Sequence, residues 1–115
     1  NRSSTKILKT IDVDKSYPLL KLVDKVYSSL SKNNLKNFWS LLNDAWEAKK
    51  NISSDIMSNE LKNIESKLNQ DPQLKYLKLC GAGGGGYFLI MTNSQPTLDS
   101  IQVYIDNKGV IAWDV

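Results

Sequence analysis

The sequence predicts an α+β domain, with helices in its first half and an antiparallel sheet in its second. Two observations carry this. Up to Leu68 apolar residues recur at spacings of three and four, and from Lys75 onward they switch to alternation and short apolar runs. Helices and strands are also segregated along the chain, the order of helices packed on one face of an antiparallel sheet. At 115 residues and 41% apolar, the chain is one domain, residues 1–115. That is enough for a single core and too little for two.

Ile7-Leu8 suggests a short helix before Asp12. Leu19, Val23, Val26 and Leu30, flanked by Leu20 and Tyr27, form a helical stripe after Pro18. Proline suits a first helical turn, where its missing N–H costs nothing. Asn33-Asn34 offers a turn and an N-cap. A second helix then reads Leu35, Phe38, Trp39, Leu42, Ala45 and Trp46 on its inner side. Ser58 caps a third, with Leu61, Ile64 and Leu68 facing inward and Asp71-Pro72 stopping it. Next, Lys75–Cys80 alternates as a strand with one apolar face. Tyr87–Met91 is apolar throughout, as in a central strand covered on both faces. Val103-Tyr104-Ile105 and Val110–Trp113 read as two further strands, joined by Asp106-Asn107-Lys108-Gly109. Trp39, Trp46, Phe88 and Leu89 are the expected core.

Composition removes several function classes. There is no histidine, so His-based triads and His metal sites are absent. The single Cys80 forms no disulfide framework, suits a reducing, cytoplasmic setting, and reads as a small buried residue. No run approaches the ~20 apolar residues of a membrane helix, so no membrane partner is expected. The chain opens at Asn1 without a signal-peptide pattern and is expected to be a piece of something longer. Residues 1–57 carry ten basic and six acidic side chains, against five and six in residues 58–115. The lysines are too dispersed for a nucleic-acid stripe, and most read as solvated helix faces. Lys49-Lys50, at the end of an apolar helix face, is the exception.

One segment points to chemistry. Gly81-Ala82-Gly83-Gly84-Gly85-Gly86 holds five of the chain's six glycines. Such density discards side-chain packing and adds unfolded-state entropy, so it calls for a compensating role. The usual role is close approach of backbone N–H groups to an anion such as phosphate. A tight crossing against another backbone is the structural alternative. A strand rather than a helix follows, which excludes a dinucleotide fingerprint. Tyr87-Phe88 stands where a Walker loop needs Lys-Ser/Thr.

Lys78-Leu79-Cys80-Gly81-Ala82-Gly83-Gly84-Gly85-Gly86-Tyr87 resembles the third motif of the GHMP kinases, which lies in that superfamily's second domain. Ala45-Trp46-Glu47-Ala48-Lys49-Lys50-Asn51-Ile52-Ser53 resembles a stretch of the bacterial heptose-phosphate kinase branch. Arg2-Ser3-Ser4 with Ile7-Leu8-Lys9 is similar to the opening of that branch's second domain, and Gly109–Trp113 to its closing strand. The branch's glycine-rich lead-in to the third motif is replaced here by Asp71–Leu77, which leaves the sugar open. The family's Pro-x-x-x-Gly-Leu-Gly-Ser-Ser loop and its acidic residue belong to the first domain, and neither pattern occurs in this chain.

The resemblance implies a ferredoxin-like α+β domain, the C-terminal half of a sugar or sugar-phosphate kinase. Its partner would be its own N-terminal kinase domain, which would hold most of ATP and Mg²⁺. The enzyme would transfer the γ-phosphoryl of ATP to a sugar hydroxyl. Gly81–Gly86 would line the phosphate site, and Lys49, Lys50 and Arg2 would meet a phosphate on the substrate; no catalytic residue falls in this chain. Two other readings stand beside it. One is a non-catalytic small-molecule-binding or regulatory module of the same shape. The other is an interaction domain whose Trp39 and Trp46 face a partner.

Overall fold

A computed structural model describes residues 7–81, 85–95 and 99–104. Among them three helices precede a two-stranded antiparallel sheet, and the class is α+β. Ile7 and Leu8 are helical, and a single 3-10 turn at Asp14–Ser16 leads into helix α1, Tyr17–Ser31. Pro18 lies in its first turn. Asn33, at φ 54°, makes the left-handed turn that sends the chain into α2, Leu35–Ile52. Asparagine tolerates that conformation better than most residues. The Asn34 side chain accepts the Asn37 N–H at 3.1 Å, and the Ser58 hydroxyl accepts the Leu61 N–H at 3.3 Å to start α3, Asn59–Leu68. Both caps stand where the sequence places them.

Strand β1, Leu74–Cys80, pairs with β2, Tyr87–Thr92, in the register Leu77–Ile90, Leu79–Phe88 and Cys80–Tyr87. Period-two alternation puts Leu77 and Leu79 on one face. They join Trp46 of α2, Leu61 and Leu68 of α3, and Ile7, Ile56 and Met57 in one core, edged by Ile52, Leu74, Phe88 and Ile90. The segment before α1 is pinned to the end of α2. Thr10 and Ser53 share a hydroxyl hydrogen bond of 2.7 Å, and the Asp12 N–H donates to the Ile52 carbonyl at 3.1 Å.

Several expectations are corrected. On α1 the inward residues are Leu19, Leu22, Val26 and the buried Ser29, whereas Val23 and Leu30 face outward. The helix packs on α2 and sends no residue into the core, so its inner face is set by that one neighbour. On α3, Glu65 takes the inward place expected of Ile64, because Trp46 offers it a hydrogen bond there. Leu35 is exposed.

Strand β2 is not covered on both faces. Tyr87 is 82% and Leu89 42% exposed, and among the described residues its pairing partner is β1 alone. Trp39 is half-buried, with Phe38 edge-on at 4.9 Å and Tyr76 tilted at 6.2 Å. Val103 and Tyr104 are not in a strand; Ile105 and the strand expected at 110–113 lie outside the described residues. Among the described residues no helix is long and apolar enough to cross a membrane.

Candidate functional site

Gly81, Gly85 and Gly86 lie in the turn that links β1 to β2. Two of its glycines are demanded by that geometry. Gly81 has φ 117° and Gly86 φ 129°, backbone conformations that L side chains rarely adopt. A Cβ on Gly86 would also collide with the carbonyl oxygen of Cys80, across the mouth of the turn. Gly85 differs from both. Its φ is not in the left-handed range, and a Cβ built on it would meet nothing within 4 Å. Neither backbone strain nor crowding by the described residues calls for glycine there. Ala82, Gly83 and Gly84 lie outside the described residues.

Cys80 and Tyr87, paired across the hairpin, flank the turn, and both are exposed. The expectation of a buried Cys80 is therefore corrected. Its place in the alternation puts it on the face opposite Leu79, the one turned away from the core.

The two lysines at the end of α2 part company. The Lys50 ammonium lies 2.7 Å from Glu47 and 2.8 Å from Glu65, and 5.6 Å from the centre of the Trp46 ring. The Trp46 indole N–H donates to the same Glu65 oxygen at 2.8 Å. Trp46 and Lys50, four residues apart, share a helix face, and Glu65 reaches both from α3. Burial by itself pulls the Lys50 pKa down. Its hydrogen bonds to Glu47 and Glu65, with their charges, outweigh that and hold it above the ordinary lysine value. Lys50 thus arrives at any ligand already neutralised by two carboxylates.

Lys49 is half-buried and makes no ion pair among the described residues. Arg2 lies outside them. Nor does a hydrogen bond or ion pair join the described part of the glycine turn to either lysine.

Glu65 is the residue the sequence reading missed. Its signal was present: Leu61, Glu65 and Leu68 fall on one helical stripe, and a buried indole N–H needs an acceptor. The alternative in which Trp46 faces a partner is also corrected, since Trp46 is 3% exposed and central to the core.

Among the described residues, two open grooves stand out. One, of about 610 Å³, runs between α1 and α2 past Lys25, Ser28, Lys32 and Asn37. The other, of about 210 Å³, lies between α2 and the start of β1, past Asn43, Glu47, Asp71 and Lys75. Neither includes a described residue of the glycine turn. Among the described residues no three His, Cys, Asp or Glu side chains gather as a metal site.

Comparison with protein-family models, with curated proteins and with solved structures found no match to this chain.

Proposed function

We propose that this chain is the second, ferredoxin-like domain of a GHMP-type kinase that phosphorylates a sugar or sugar phosphate. The observation that carries the reading is Gly85. It sits exposed in the hairpin turn, where no described residue would crowd a side chain. A bare backbone there serves whatever approaches from outside. In a phosphoryl-transfer enzyme that visitor is the phosphate chain or the domain that holds it, because such catalysis rests on positioning and charge stabilisation.

ATP supplies the transferred group, and Mg²⁺ neutralises its phosphates. That ion is assigned mainly to the first domain. Of the cations, Lys49 and Arg2 are assigned to the substrate's phosphate. Lys50 acts as the strut that fixes the last turn of α2.

The test is acceptor-dependent ADP release by the complete gene product, with Mg²⁺-ATP and a panel of heptose, hexose and sugar-phosphate acceptors. Turnover in the usual kinase range of about 1–100 per second is the expected result. Lys49→Ala should raise KM for a phosphorylated acceptor about tenfold and leave KM for ATP unchanged, the loss of one charge-assisted contact. Saturable binding of a sugar phosphate without ADP release would instead favour the non-catalytic module.

A further inference from the structure

Helix α1 is apolar on more than the face it buries. Tyr17, Leu20, Val23, Tyr27 and Leu30, spaced three and four apart, form a second stripe along its whole length, each residue between 54% and 73% exposed. Asp24 is the one charged residue that borders it. The helix adds nothing to the hydrophobic core and packs mainly on α2. Five such side chains at this exposure present roughly 600 Å² of surface, the upper end of what a typical monomer leaves open.

We propose that this stripe is a homodimer interface, in which α1 pairs antiparallel with α1 of a second copy. Three features select a second copy. First, the Leu20-Val23-Tyr27-Leu30 spacing is the seam of a two-helix pair. Second, the seam is self-complementary under a two-fold axis. Leu20 comes opposite the second copy's Leu30, and the small Val23 opposite the large Tyr27, in four layers. Third, the four seam side chains of two copies together bury about 950 Å², the size of a weak, transient interface. That size predicts a reversible dimer rather than a permanent one. Asp24 borders the seam near its centre, exposed and without an ion pair among the described residues. In this pairing it comes up beside its own copy, a like-charge contact that opposes association.

Sedimentation equilibrium of the 115-residue chain from about 1 to 300 μM tests this, with a dissociation constant of about 1–100 μM expected. The double variant Leu20→Glu/Tyr27→Glu should stay monomeric throughout, with an unchanged far-UV CD spectrum because α1 lies outside the core. Asp24→Asn should tighten the dimer about threefold or more, since it removes the repulsion at the axis. A wild-type chain that is monomeric at 300 μM would overturn the proposal and leave the stripe to another protein. So would a dimer that survives the double variant, which would place the contact elsewhere. An affinity unmoved by Asp24→Asn would reject the antiparallel pairing.

Discussion

Glu65 gathers two donors at one oxygen, the Trp46 indole N–H and the Lys50 ammonium, each at 2.8 Å. Its side chain is 10% exposed and that of Lys50 19%, so removing the carboxylate leaves the buried indole N–H without an acceptor and Lys50 with Glu47 as its remaining ion pair. Glu65→Ala should therefore cost about 2–4 kcal/mol in urea denaturation. Glu65→Gln keeps an acceptor for the indole and should cost about 1 kcal/mol. Equal, small losses would show that the cluster is solvated and adds little. The alkaline side carries a second signature. The Lys50 pKa is raised, and burial, followed by the charge of Cys80, raises that of Tyr76. Each group binds its proton more tightly folded than unfolded. Their contribution is complete below about pH 10 and is lost as pH rises through the folded values. The melting temperature should fall from pH 10 upward, and Lys50→Met should flatten that fall.

At the scale of elements, the β1–β2 turn holds two glycines with left-handed backbone and one, Gly85, that no described residue crowds. Gly86→Ala should destabilise by about 2 kcal/mol or more, from the left-handed backbone and the collision with the Cys80 carbonyl. Gly85→Ala should lie within about 0.5 kcal/mol of the parent in the same thermal melts. A large loss at Gly85 would return the whole segment to a structural role. The elements themselves were well marked in the sequence. Asn34 and Ser58 announce helix starts through their own side-chain chemistry, and Leu77 and Leu79 announce the buried face of β1 by alternation. What periodicity did not reveal was which of two apolar faces on α1 turns inward. Leu19-Leu22-Val26 and Leu20-Val23-Tyr27-Leu30 are equally regular, and tertiary packing decides between them. The same limit hid Glu65, since an ionisable residue on an inner stripe is placed by its partner on another helix. At the turn, five glycines were plain to read, but the difference among Gly81, Gly85 and Gly86 rests on backbone angles that no sequence displays.

At the scale of the whole molecule, surfaces stay open on two sides. Tyr87 and Leu89 stand exposed beside the glycine turn, and the α1 stripe stands exposed away from the core. A chain this size buries about two-thirds of its surface by itself, and apolar faces left over are where a second body fits. The proposed dimer covers the α1 stripe, and in the proposed kinase reading the turn and its exposed flank meet the first domain. On that account the 115-residue chain folds cooperatively but transfers no phosphate alone, because nucleotide and acceptor must be held in line by both domains. The most direct test of the central claim is kcat/KM for acceptor-dependent ADP release by the complete gene product, comparing Gly85→Val with wild type. The account predicts turnover in the wild type and at least a tenfold loss in the variant, with no change in melting temperature. A folded variant as active as wild type, or no acceptor-dependent turnover in the complete protein, would contradict it.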